Sequence, residues 1–340
     1  MSWVKENCLS FFQLFCIKVV KTGRIPQHLA LIMDGNRRYA KKLSVGSTEG
    51  HNKGFDKLSE VLKWCLDLGI PEVTVYAFSI ENFKRSQDEV DALMELASDK
   101  FKRLLEEMLS AISHLPTIIK LYECVAGLEK VTPSRDSSHR VIPGFIVHKT
   151  VLLLWLVLAY LLCCMCDQIN EWGVRMHVAG RLSLLPAELQ ALVSKAMLAT
   201  RQNNKLRLNI AYSYTGRDEI SRAASYIIDS VKNKELTADD IDEDLISQTL
   251  DLGEPELLVR TSGEVRLSDF MLWQVNRTVL YFTDVLWPEF TIWNLLAAII
   301  HFQRHAPPAL QEKENTPIQQ EFLEKLETRK WQTLEKIVGC

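Results

Sequence analysis

Along this chain of 340 residues, six short β-forming apolar runs alternate with longer segments whose apolar residues recur at helical spacing. That rhythm restricts the fold to the α/β class: a single six-stranded, mainly parallel sheet with helices on both faces. The spacing predicts strands at Leu29–Asp34, Val73–Ser79, Val174–Gly180, Leu208–Tyr214, Leu257–Arg260 and Val279–Thr283. It predicts helices over Gly54–Leu68, Asp88–Met108, Ala187–Thr200, Asp218–Val231 and Thr291–Phe302. No linker interrupts the pattern before about His305. One domain is therefore expected over residues 26–304, after an amphipathic N-terminal segment (1–25) and before a charged tail (305–340) with a last helix over Gln319–Ile337.

One stretch breaks the rhythm. Between the helix ending at Met108 and the strand at Val174 stand 58 extra residues, Leu109 to Cys166, and joining Met108 to Asp167 restores a coherent helix end. Inside this atypical insert, Val151–Cys166 is an unbroken apolar run of 16 residues. As a helix it would reach roughly 24 Å, short of the roughly 30 Å hydrocarbon core of a bilayer. Three readings stand: a membrane hairpin or span, a buried core helix, or translated non-coding sequence. A single span would put two halves of one sheet on opposite sides of a membrane, which such a fold does not survive.

A net charge of −3 and a pI near 6.3 give no general electrostatic reason to bind nucleic acid, so an anionic ligand needs a local cluster of Arg, Lys and backbone N–H groups. Of eight cysteines, Cys8, Cys16, Cys65 and Cys340 are scattered and Cys124, Cys163, Cys164 and Cys166 fall in the insert, so they form no spaced zinc framework and suit a reducing compartment. Near the N-terminus, Leu9, Phe11, Phe12, Phe15, Val19 and Val20 crowd one broad helical face. Such a face either packs on the body of the protein, lies in a membrane interface or lines access for a greasy substrate.

Three loops carry groups suited to phosphate chemistry. In "LALIMDGNRRYAKK" (Leu29–Lys42) a strand ends in Asp34-Gly35-Asn36-Arg37-Arg38 and a helix follows. Glycine permits close backbone approach, the helix start offers free N–H groups, and the arginines add charge. Asp34 would repel a bare diphosphate, so it fits there as a holder of a bridging divalent cation or as a proton-handling group. Taken alone, the motif is equally a capped turn with solvated arginines. In "YAFSIENFKRS" (Tyr76–Ser86), Ser79, Glu81, Asn82 and Arg85 follow the second strand. C-terminal strand ends of a parallel sheet share one crevice, so these residues are expected to meet Asp34, and His51 at a nearby helix start could join them. In "LLVRTSGEVRLSDFMLWQ" (Leu257–Gln274), Arg260, Arg266 and Ser268 form a candidate diphosphate clamp of two guanidinium forks and a hydroxyl.

These blocks, with "NIAYSYTGRDEI" (Asn209–Ile220) and "VLWPEF" (Val285–Phe290), occur in family order and resemble the signature blocks of the cis-prenyltransferases, the undecaprenyl and dehydrodolichyl diphosphate synthases. The resemblance runs from about Pro26 to Phe302, the insert excepted. It implies an enzyme that condenses isopentenyl diphosphate onto an allylic, farnesyl-type diphosphate with Z geometry, giving polyprenyl diphosphate for dolichol synthesis and protein glycosylation. It also implies that Asp34 holds Mg²⁺ and assists departure of the allylic diphosphate. Gly35, Asn36, Arg37, Arg38, His51 and Arg85 would bind that diphosphate. Ser79, Asn36 and Asn82 would stand near the reacting carbons, and Arg260, Arg266 and Ser268 would bind isopentenyl diphosphate. An apolar product channel is expected between the Gly54–Leu68 and Asp88–Met108 helices and the sheet, with Leu58, Leu62, Leu93, Leu96 and Phe101 as candidate lining.

Several positions depart from the bacterial pattern. Val279 stands where that pattern has a metal-binding Glu, Ser47 replaces a basic residue, Ala179–Arg181 replaces a Gly-Asp pair, and the chain ends in Val338-Gly339-Cys340 without Arg-x-Gly. These departures resemble the family's eukaryotic catalytic subunits. They imply a heteromer with a Nogo-B-receptor-like partner, peripheral on the cytoplasmic face of the endoplasmic reticulum membrane. The alternative is an inactive or regulatory subunit of the same complex.

Overall fold

The computed structural model describes residues 9–105, 173–308 and 314–339. The insert with its apolar run Val151–Cys166 lies outside the described residues. Among those described, no helix is long and apolar enough to cross a membrane.

Six strands form one sheet: β1 (His28–Ile32), β2 (Glu72–Ser79), β3 (Val174–Ala179), β4 (Leu206–Tyr214), β5 (Leu257–Arg260) and β6 (Val279–Phe282). Their order is β3-β4-β2-β1-β5-β6 and every neighbouring pair is parallel. All six expected strands are present. β1 is central and buried at every position, as a strand covered on both faces must be. It stops two residues short of the expected Asp34, because the Asp34 amide turns back to the Ile32 carbonyl at 3.0 Å and the chain leaves the ladder.

Around the sheet lie α1 (Phe11–Val20), α2 (Asn36–Lys42), α3 (Ser47–Leu68), α4 (described over residues 87–105), α5 (Ala187–Ala199), α6 (Gly216–Lys232), α7 (Glu243–Thr249), α8 (Ile292–His305) and α9 (Pro317–Val338). The main core joins one face of the sheet to α3, α4, α5 and α8 through residues such as Leu29, Leu31, Leu62, Val75 and Phe302. A smaller cluster, including Ile32, Tyr214 and Phe270, covers the other face. Each fully buried Leu of β1 contributes about 2–3 kcal/mol of apolar burial. The helix of the tail is packed rather than free: Phe322 and Leu326 join Ile227, Leu236 and Leu245 in a third cluster.

Two helices differ from expectation. α3 starts at Ser47, seven residues before Gly54, since the apolar periodicity is interrupted by Gly50 and Gly54. Packing requires both glycines: an added Cβ would lie 2.4 Å from the Asn36 carbonyl oxygen at Gly50 and 2.3 Å from Asn36 Oδ1 at Gly54. α7 was not expected; seven residues are too few to show a period, and it is fixed by its N-cap, where Asp242 Oδ1 accepts from the Leu245 amide at 2.8 Å. α1 packs through Ile17 and Val20 while Phe11, Phe12, Leu14, Phe15 and Val19 remain exposed. Phe12 also meets Trp293 of α8, ring centres 5.8 Å apart.

Candidate active site

The adjacent strands β2, β1 and β5 bring three distant loops to one sheet edge, above a cavity of about 800 Å³. Every candidate site residue lines it: Asp34, Gly35, Asn36, Arg37, Arg38, His51, Ser79, Asn82, Arg85, Arg260, Arg266 and Ser268. Of the expected channel residues, Leu58, Leu93, Leu96 and Phe101 line it too. Leu62 does not; it is 1% exposed and belongs to the core between α3 and the sheet.

Asp34 is the centre of the polar end. Its Oδ1 accepts from the Gly35 amide at 2.7 Å and its Oδ2 from Arg260 Nη2 at 2.9 Å. Partial burial works to raise its pKa, but the Arg260 and Gly35 hydrogen bonds, with the Arg260 charge, hold the carboxyl below the usual carboxylate range. Gly35 adopts φ 110°, closed to most side chains, and hands the chain directly to α2. Thr261 braces the turn, its hydroxyl donating to the Asp34 carbonyl at 2.7 Å and accepting from the Asp34 amide at 3.0 Å.

Arg260 differs from a free clamp. Its guanidinium is 3% exposed and already engaged, by Asp34, by Ser268 Oγ at 2.8 Å, and by the Arg266 carbonyl. It therefore braces Asp34 and the Ser268 loop, leaving Arg266 as the more exposed cation of the pair. Ser268 and Asp269 both have positive φ, at 53° and 60°. This sparsely populated backbone is held from below by Tyr76, whose hydroxyl faces the Ser268 and Tyr214 carbonyls at 3.2 Å each. Burial pushes the Tyr76 pKa up to about 12, so the hydroxyl keeps its proton.

Two glutamates pair with the site arginines. Glu89 Oε1 lies 2.8 Å from Arg85 Nη1 and 3.7 Å from Arg37 Nη1. Glu264 contacts Arg38 at 3.3 Å and also Arg266. Arg38 further donates to Ser262 Oγ at 2.6 Å, and Arg85 to Asn82 Oδ1 at 3.1 Å. Ser79 caps the following turn by accepting from the Glu81 amide at 3.1 Å. Asn36 Oδ1 and His51 Nε2 are buried without a hydrogen-bond partner. Burial, then the Arg85 charge, lowers the His51 pKa. Unpaired buried polar atoms are costly, and both belong to residues that line the cavity, with Asn36 Oδ1 itself packed against Gly54.

Thr261, Ser262, Tyr76, Glu89 and Glu264 escape a reading of the sequence, since each acts through a neighbour brought close only by the fold. Among the described residues, no group of three or more His, Cys, Asp and Glu gathers to hold a metal. Asp34 alone still fits Mg²⁺, which characteristically takes one or two carboxylates and draws its other ligands from phosphate and water. Val279 opens β6 opposite Leu257, at the far end of the strand from Arg260, and does not line the cavity. The block Asn209–Ile220 is a brace: Asn209 donates to Glu72 at 2.7 Å and Thr74 at 2.9 Å, and the Tyr214 hydroxyl donates to Glu219 at 2.5 Å.

The site's arrangement has known counterparts. A prenyltransferase family model described as "Putative undecaprenyl diphosphate synthase" matches residues 32–129 and 149–307, and its interruption falls inside the insert. The chain is 43% identical over 306 residues to the human dehydrodolichyl diphosphate synthase complex subunit DHDDS, covering 89% of this chain and 74% of that one. It is 33% identical over 305 residues to the dehydrodolichyl diphosphate synthase complex subunit SPAC4D7.04c of Schizosaccharomyces pombe, covering 88% and 94%. Among solved structures, lavandulyl diphosphate synthase from Lavandula x intermedia, in complex with dimethylallyl diphosphate, is similar at a TM-score of 0.61 and 29% identity, covering 82% of this chain and 95% of that one. With its six-stranded parallel sheet and three signature loops at one edge, the chain belongs to the undecaprenyl diphosphate synthase-like family of cis-prenyltransferases.

Proposed function

We propose that this chain is the catalytic subunit of a dehydrodolichyl diphosphate synthase complex, condensing isopentenyl diphosphate onto a farnesyl-type allylic diphosphate. The observation that carries the reading is the single cavity: charged loops converge at one end and Leu58, Leu93, Leu96 and Phe101 line the other. In the condensation, the isopentenyl double bond forms a new C–C bond to the allylic carbon as the C–O bond to diphosphate breaks. A proton then leaves the isopentenyl unit. Negative charge grows on the departing diphosphate, so the loop amides of Asn36 and Arg37, beside the close backbone approach at Gly35 and with Arg38, His51 and Arg85, would lower the barrier by meeting it preorganised. Arg266 and Ser268, braced by Arg260, would hold the isopentenyl diphosphate. Ser79, Asn36 and Asn82 would stand near the reacting carbons and hydrogen-bond around the departing diphosphate, whose oxygen takes up the proton. Asp34 would hold Mg²⁺, which when bound neutralises diphosphate charge.

A Nogo-B-receptor-like subunit is the proposed partner, and the product would feed dolichol synthesis. Incorporation of radiolabelled isopentenyl diphosphate tests both points. Long-chain product is expected when the full chain is co-purified with that partner, and little from the chain alone. No incorporation by the complex overturns the catalytic reading, whereas full processive activity without the partner overturns the heteromer.

The apolar outer face of α1 supports a peripheral seat on a membrane surface, which for a dolichol-synthesis subunit would be the cytoplasmic face of the endoplasmic reticulum. Its five large exposed side chains are unusual on a water-facing helix. Replacing Phe11, Phe12 and Phe15 by Ser is expected to lower co-sedimentation of the full chain with phospholipid vesicles by at least about tenfold. Unchanged co-sedimentation would argue against membrane seating through α1.

A further inference from the structure

Among the described lining residues, the apolar part of the cavity carries one formal charge, Lys100. The other ionic side chains lining it belong to the loops after β1, β2 and β5 and to the helix starts beside them. Lys100 lies on α4 about 20 Å along the axis from the start of the helix. Its Nζ stands 4.6 Å from the centre of the Phe55 ring on α3, within the range of a cation–π contact. Both side chains are half-buried and both line the cavity, so the contact bridges the two helices at its wall. Burial lowers the Lys100 pKa, Asp56 and Asp99 work to raise it, and Arg103 works with burial.

Apolar space continues past this point. Leu104, one turn further along α4, lines the cavity, as do Met176 and Leu208 near the N-terminal ends of β3 and β4. The contact therefore lies along the channel wall, short of its apolar end.

We propose that Lys100 and Phe55 form a charged gate across the product channel, and that the gate sets the length at which a growing prenyl chain stops being extended. The inference rests on the prenyltransferase reading and concerns the same site. Up to the gate, each added unit gains apolar burial. At the gate, hydrocarbon displaces water and the aromatic face from an ammonium and offers it no replacement, which offsets that gain.

The test is the product-length profile of the full chain in its complex, read by mass spectrometry. Lys100→Met removes the charge and keeps an unbranched apolar stem. It is expected to lengthen the dominant product by about one or more five-carbon units. Lys100→Arg keeps the cation and is expected to keep the wild-type profile. Phe55→Leu removes the face on which the ammonium rests and is expected to shift the profile the same way as Lys100→Met. An unchanged or shortened profile in Lys100→Met and Phe55→Leu overturns the gate. A wild-type complex that makes no polyprenyl chain overturns the prenyltransferase reading itself, a result distinct from an unchanged profile.

Discussion

Asp34→Ala is expected to lower isopentenyl diphosphate incorporation by the complex about 10²–10³-fold, the range found when a preorganised electrostatic group is removed from a catalytic centre. The carboxylate stands two residues past the end of the central strand, lines the polar end of the cavity, and is kept ionised by Arg260 and the Gly35 amide. Alanine also strips Arg260, only 3% exposed, of its countercharge, so part of the loss would come from misplacement of the Ser268 loop. Asp34→Asn separates the two contributions, because an amide oxygen still accepts from Gly35 but carries no charge. Both variants are expected to lose turnover, with Asn retaining more thermal stability. A complex that kept full incorporation with Asp34→Ala would point to a non-catalytic role for this chain.

The second large effect is expected at Arg260. Arg260→Ala leaves the partly buried Asp34 carboxylate unpaired and frees Ser268, a loss of roughly 3 kcal/mol in folding stability. Denaturant unfolding reads that loss, and the apparent KM for isopentenyl diphosphate is expected to rise at least about tenfold as the loop relaxes. Lysine is a poor substitute, since one ammonium does not span Asp34 and Ser268 as a planar fork does. The pH dependence has a definite sign. Asp34, held below its ordinary range, contributes stability above the usual carboxylate pKa and loses it as pH falls through the lowered folded value. Wild type and Arg260→Ala should thus differ most at neutral pH and converge in acid. Wild-type stability and KM in the variant would remove Arg260 from its bracing role.

The sheet was legible because its strands are buried on both faces and read as continuous apolar runs between helical periods, as Leu29–Ile32 and Leu257–Val259 do. The site loops were legible because phosphate chemistry demands Gly, Arg and Asp at strand ends. Closeness between residues far apart in sequence was not. The pairing of Arg260 with Asp34 spans 226 positions, and it turns an expected ligand clamp into a brace. The start of α3 was hidden for a related reason: Gly50 and Gly54 weaken helical propensity locally, and their benefit comes only when Asn36 packs against them. Leu62 and Leu58 share one helical period, so the sequence leaves channel lining and core packing open for both, and only the fold puts Leu58 at the cavity and Leu62, one turn on, in the core.

The glutamates beside the arginines bear on how tightly a ligand can be held. Glu89 and Glu264 already partner Arg85, Arg37, Arg38 and Arg266. An arriving phosphoryl oxygen thus trades places with a carboxylate instead of meeting a bare cation, and the net grip is the difference between two similar attractions. Restraint of this kind suits a catalyst that must release one anionic head group and seize another at every round of a repeating cycle.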